Sequence, residues 1–135
     1  MYLLDTDILS NLLKPVPSTS LISKMASVPT QQQFTSSITL GELVYGAHRQ
    51  RLRTGALLEQ LDRILLRNRR VLSFDTEAAR RYGDLRAQLE RLGMPLADAD
   101  LRIAAIALTH SLTMVTGNVR HFRRVPGLTV ENWLE

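Results

Sequence analysis

Apolar and polar positions fall in short blocks along the chain. Tyr2-Leu3-Leu4 is a brief apolar run that ends on Asp5 and reads as a buried strand. Asp7 can then cap a helix to about Leu13, which Pro15 and Pro17 stop. Ser18 or Ser20 opens a second helix to about Ser27, ended near Pro29. Phe34-Thr35-Ser36 is a second short strand, and Thr39 starts a helix carrying Glu42, Leu43, Tyr45 and Gly46. From about Thr54 to Asn68, Leu57, Leu58, Leu61, Ile64 and Leu65 recur at helical spacing. Val71-Leu72 suggests another strand. Asp75 caps a long helix with Ala78, Ala79, Tyr82, Leu85 and Leu89 on one face, closed by Gly93 and Pro95. Asp98 or Asp100 opens the next helix, which runs through Ile103 and Ile106 to His110. Thr113-Met114-Val115-Thr116 is a strand, and Thr129-Val130 a last, short one.

Short strands alternating with helices predict an α/β fold. Its central sheet is short and mostly parallel, with helices on both faces. A chain of 135 residues without repeats or a long linker fits a single domain over residues 1–135. The two clearest strands run out into Asp5-Thr6 and Thr116-Gly117-Asn118. Ligands of open α/β sheets bind beyond the carboxyl ends of strands, so chemistry is expected where Asp5 and Asn118 emerge.

Composition narrows the classes. With 44% hydrophobic and 22% charged residues the chain is an ordinary globular sequence, which excludes disorder along its whole length. The absence of cysteine excludes a disulfide framework, a thiolate zinc site and a cysteine nucleophile, and it agrees with a cytoplasmic protein. No apolar run reaches the ~20 residues of a membrane span. The N-terminus carries no basic region or cleavage signal, so no signal peptide is expected. The net charge of +4 is unevenly placed. Residues 1–47 hold Lys14 and Lys24 against Asp5, Asp7 and Glu42, whereas every basic residue beyond them is an arginine. Arginine's planar fork suits phosphate, so an anionic partner such as nucleic acid enters the picture beside the plainer reading of a solvated helical surface.

Four acids stand apart from the surface charge. Asp5 follows a buried strand directly, and a carboxylate there needs a partner. Glu42 matches a capping box with Thr39, and Asp98 or Asp100 can cap the apolar helix that follows. Taken together, carboxylates meeting at one sheet edge repel each other and raise each other's pKa. A hard divalent cation relieves that repulsion. Mg²⁺ takes oxygen ligands and needs only one or two protein carboxylates plus a phosphate. Such an ion promotes phosphodiester hydrolysis by acidifying water and offsetting charge on the phosphate.

Four blocks then resemble a family: Leu3-Leu4-Asp5-Thr6-Asp7-Ile8, Thr39-Leu40-Gly41-Glu42-Leu43, Asp100-Leu101-Arg102-Ile103-Ala104-Ala105 and Val115-Thr116-Gly117-Asn118-Val119-Arg120-His121-Phe122. In this order and spacing they are similar to the signature blocks of PIN-domain ribonucleases, above all VapC-type toxins of bacterial toxin–antitoxin pairs, the FitB-like branch included. The ending Val125-Pro126-Gly127-Leu128 through Glu131-Asn132-Trp133 has the same character.

The resemblance implies a PIN fold and a metal-dependent endoribonuclease. Asp5, Glu42 and Asp100 would form its acidic core. Asp5 and Asp100 would be the principal ligands of Mg²⁺, for which Mn²⁺ can substitute, and Glu42 would help hold the metal or orient water. Thr6, Thr116 and Asn118 would support the site by hydrogen bonding, with Asp98 accessory. Asp7 stands where the family often has Asn, and either adds charge or caps its helix. His121 stands where the family often has a fourth acid, either meeting phosphate or water or lying plainly on the surface. The same resemblance implies RNA cleavage to 3′-hydroxyl and 5′-phosphate ends, a homodimer, and a VapB-like antitoxin that occludes the site.

Two other readings compete. A PIN module that binds RNA or a partner without cutting rests on His121 alone. A haloacid-dehalogenase-like phosphatase would use the Asp5-Thr6-Asp7 motif but lacks the later lysine it requires, since the chain's lysines are Lys14 and Lys24.

Overall fold

The computed structural model describes residues 1–66 and 70–135, with the side chain of Leu66 left aside. Strand β1 (Tyr2–Leu4) is followed by helices α1 (Thr6–Leu12) and α2 (Thr19–Ser27), strand β2 (Gln33–Ser36), and helices α3 (Ser37–Arg49) and α4 (Thr54–Leu61). Then come β3 (Arg70–Leu72), α5 (Thr76–Arg91), α6 (Asp98–Thr109), β4 (Thr113–Val115), α7 (Val119–Phe122) and β5 (Val130–Glu131).

Among the described residues all strand pairings are parallel, in the order β3-β2-β1-β4-β5, with Leu3 opposite both Phe34 and Met114. Successive residues of a strand face opposite sides of a sheet. Leu3 accordingly packs with Met114, Phe34, Ile103 and Ile106 under α5 and α6, while Leu4 joins Ile8, Leu21, Leu43, Val115 and Trp133 under α1 to α4. Two cores on two faces are the layered arrangement the sequence predicts. Trp133 closes the second core edge-on to Tyr2, with ring centroids 5.0 Å apart, and donates its indole N–H to Glu131.

The chain turns one way from β1 to β2 and the other way from β1 to β4. The crevice beyond β1 and β4 is therefore the switch point of the sheet, where such folds bind ligands. The two strand ends are tied there by a hydrogen bond from the Asp5 amide to the Val115 carbonyl at 2.9 Å.

Several expected boundaries shift. Asp5, not Asp7, caps α1: its Oδ1 accepts from the Thr6 amide at 2.8 Å, because β1 ends one residue before it. Ser36 caps α3 and holds the Thr39 amide at 3.0 Å, so the capping box of Thr39 and Glu42 does not form. Ala97 caps α6 without a side-chain bond, so neither Asp98 nor Asp100 does so; both sit in its first turn. Helix α4 stops at Leu61 and widens into a π turn over Asp62–Leu66; the expected end at Asn68 lies outside the described residues. Ala79 is exposed, whereas Ala78, Leu85 and Leu89 of α5 are buried as expected. Gly93 ends α5 at φ +69, a left-handed conformation that few residues besides glycine adopt readily. Among the described residues, no helix is long and apolar enough to cross a membrane.

Candidate active site

Asp5 leaves β1 and is almost fully buried, at 4% exposure. Besides the Thr6 amide, its carboxylate accepts from the Thr116 hydroxyl at 2.8 Å. Thr116 lies just beyond β4 and is itself fixed by the Asn118 amide, which donates to its Oγ1 at 3.0 Å. These two donors favour the ionised carboxylate, but they do not win. Burial, with the neighbouring negative charge of Asp7 and a smaller contribution from Asp100, pushes the Asp5 carboxyl up to about 7.

Glu42 projects from α3 across to α1, where the Thr6 hydroxyl donates to it at 2.6 Å. The same Thr6 oxygen lies 3.1 Å from that of Thr39, which contacts Ser36 in turn, so a hydroxyl chain links α1 and α3 behind the acids. Asp100 is half-buried in the first turn of α6. Its carboxyl is raised by burial first, then by the charges of Glu42 and Asp7, with His121 acting in the opposite direction. His121 is exposed on α7, near enough for its charge to favour the Asp100 carboxylate.

The structure thus brings Asp5, Asp7, Glu42 and Asp100 to one rim, with Thr6 and Thr116 as hydrogen-bonding supports. Asn118 contributes its backbone amide; its side chain makes no hydrogen bond among the described residues. Asp98 is not part of the rim. It lies two residues before Asp100 and so turns to another side of α6, where it accepts from the Tyr82 hydroxyl and pairs with Arg102 at 2.8 Å. The Tyr82 bond, followed by the Arg102 charge, holds its carboxyl below the usual range.

Of the two roles the sequence left open for Asp7, added charge is the one the structure shows, since it raises both Asp5 and Asp100; the backbone contact it makes with Gly117 escaped sequence reasoning. Asp7 is not a cap but a strap: its Oδ2 accepts from the Gly117 amide at 2.8 Å, joining α1 to the end of β4. A β-carbon on Gly117 would stand 2.6 Å from that oxygen and 3.1 Å from Leu134 Cδ1. The signal was present in Thr-Gly-Asn, since glycine at a strand end often marks close backbone approach. Gly117→Ala should cost about 1–3 kcal/mol, as overpacking generally does; a thermal melt matching that of the wild type would contradict the strap.

The donors suit a hard cation. They are all oxygens, and a divalent ion would offset both the burial that chiefly raises Asp5 and Asp100 and the neighbouring negative charge that adds to it. Among the described residues no three Asp, Glu or His side chains already stand as a ligand set. Mg²⁺ does not require one, because it keeps several waters and uses one or two carboxylates directly.

Sequence comparison matches the PIN domain family over residues 2–128. The chain is 36% identical over 134 residues to the tRNA(fMet)-specific endonuclease VapC of Salmonella typhimurium, covering 98% of this chain and 97% of that protein. It is 32% identical over 133 residues to Ribonuclease VapC2 of Rickettsia felis, covering 98% of each. Among solved structures, VapBC2 of Rickettsia felis, bound to a DNA fragment from its promoter, superposes with a TM-score of 0.90 at 31% identity, covering 98% of both chains. FitAcB from Neisseria gonorrhoeae does so at 0.83 and 28%, again covering 98% of both.

Proposed function

We propose, since this chain belongs to the PIN-domain family of VapC ribonucleases, that Asp5, Glu42 and Asp100 are its catalytic acids. The protein is an endoribonuclease toxin of a type II toxin–antitoxin pair. The observation that supports the residue assignment is a buried carboxyl held near 7 at the sheet's switch point, with further acids at the same rim.

In this reading Asp5 and Asp100 would be the principal ligands of Mg²⁺, or of Mn²⁺ in its place. Glu42, fixed by Thr6, orients the attacking water, and Thr116 keeps Asp5 aimed into the crevice. The bound ion would offset the charge that develops on the phosphodiester and acidify water. His121, exposed on α7 and near enough for its charge to act on Asp100, is the residue that would meet a phosphate oxygen in this reading. The substrate is RNA, the active form a homodimer in the cytoplasm, and the partner a VapB-like antitoxin; solved relatives in complex with antitoxins support that partner.

The test is cleavage of a total transfer-RNA preparation. Mg²⁺ or Mn²⁺ should support it, EDTA should stop it, and the products should carry 5′-phosphate and 3′-hydroxyl ends. Cleavage undiminished in EDTA would refute the metal. RNA left intact with either ion, by protein that still binds it, would favour the binding module without catalysis.

A further inference from the structure

The acids at the rim do not account for a groove of about 350 Å³ that runs from them between α1, α3 and α4. Thr6 and Glu42 form its inner end. Its floor is apolar, built from Leu13, Leu43, Ala47, Leu57 and Leu61, of which Leu43, Ala47 and Leu61 are buried. Its walls carry two cations, Lys14 from the end of α1 and Arg53 from the turn before α4. Both are exposed, and neither pairs with an acid among the described residues. Arg49, the last residue of α3, and Arg51, on the turn that follows, are exposed as well.

Gly46 lines this groove from the C-terminal part of α3, inside the helix, where glycine weakens it relative to alanine. Its backbone does not require glycine, and a β-carbon there would meet nothing within 4 Å. The missing side chain therefore leaves space in the groove rather than easing a turn or a contact.

We propose that this groove is a nucleotide subsite: it takes an unpaired base of the RNA next to the scissile phosphate, with Lys14 and Arg53 on the adjoining backbone. The proposal rests on the catalytic reading, because it is the position of Thr6 and Glu42 that places the groove beside the cut. Charge complementarity selects the occupant. The chain being cut is a polyanion, the free charges beyond Glu42, which this reading gives to the metal end, are positive, and the flat faces of unpaired bases suit an apolar floor. The volume lies at the lower end of the range for small-ligand sites, ~300–1,000 Å³, so the groove serves one or two nucleotides rather than a duplex.

The experiment fills the groove. Gly46→Leu places a side chain in it at a helical position that favours leucine, so the variant should melt no lower than the wild type. Gly83→Leu, at an equally open position of α5, is the control. The probe is a fluorescein-labelled, mixed-sequence single-stranded RNA of about ten nucleotides, within the usual span of a single-strand site. Its binding is followed by anisotropy in EDTA. Gly46→Leu should weaken binding about tenfold, in line with the loss of one base contact, and Gly83→Leu should leave it unchanged. Lys14→Ala combined with Arg53→Ala should lower the slope of log affinity against log salt by about 1.4, the value for two phosphate contacts to a single strand.

Unchanged RNA affinity and salt slope in these variants overturn the proposal and leave the groove to a protein partner. Manganese calorimetry separates this failure from failure of the catalytic reading. Wild-type protein that binds no Mn²⁺ refutes the metal site, whereas normal Mn²⁺ binding with RNA affinity untouched by Gly46→Leu refutes the groove alone.

Discussion

Asp5→Asn and Asp100→Asn should each reduce RNA cleavage by at least about 1,000-fold while leaving the fold intact. The size follows from losing a cation worth several kcal/mol at the transition state, at 1.36 kcal/mol per tenfold. The fold survives because an amide can use the hydrogen bonds that Asp5 makes. Its oxygen can accept from the Thr6 amide, and its NH₂ can donate to the Thr116 hydroxyl. Thr116 can then turn its own proton toward Asp7 Oδ1, 3.5 Å away. Asp5→Asn also removes a carboxyl that burial and Asp7 disfavour as an anion. Metal-free Asp5→Asn should consequently melt several degrees above the wild type at pH 8, taking roughly 3 °C per kcal/mol for a chain of this size. Grossly unfolded variants by circular dichroism would make these acids structural and contradict the assignment.

The metal-free protein should lose stability as pH rises from about 4 to about 7. Asp5 binds its proton more tightly in the fold than in the unfolded chain, where its pKa is near 3.8. Between those two values the native state carries more protons, so stability falls with pH and flattens above 7. A shift from 3.8 to about 7 corresponds to a loss of about 4 kcal/mol across the window. Asp100, also raised, acts in the same direction. Saturating Mn²⁺ should flatten the trend, because the ion displaces the Asp5 proton and the native state then carries no more protons than the unfolded chain. Apparent Mn²⁺ affinity should rise up to about tenfold per pH unit below 7 and level off above it. Thermal melts across this range, with and without Mn²⁺, check both slopes, and Asp5→Asn should flatten the metal-free one. A metal-free wild type equally stable at pH 5 and pH 8 would contradict the buried carboxyl.

Much of this was legible in the residues. Tyr2-Leu3-Leu4 ending on an acid, and Thr113 to Thr116 ending on a glycine, identify two buried strands and the edge where they release polar side chains. The parallel sheet puts those two ends side by side, so Asp5 and Thr116 meet. What was not legible depends on competition between near-equal local choices. Ser36 and Thr39 can each cap a helix, and the one adjoining the strand wins; that frees Glu42 to find Thr6, 36 residues away in the chain. Asp5 and Asp7 compete in the same way, and a single residue at the end of β1 decides between them. Asp98 and Asp100 look alike in sequence, yet α5 supplies Tyr82 and Arg86 to one of them only. The groove could not be foreseen, because it exists only once α1, α3 and α4 pack.

The most direct test of the shared cation is a crystal of the wild-type protein soaked in Mn²⁺ and measured at an anomalous wavelength. The account predicts a peak in contact with the carboxylates of both Asp5 and Asp100, with Glu42 near it directly or through water, and no such peak in Asp100→Asn. A peak that touches neither Asp5 nor Asp100, or one that persists undiminished in Asp100→Asn, would contradict it.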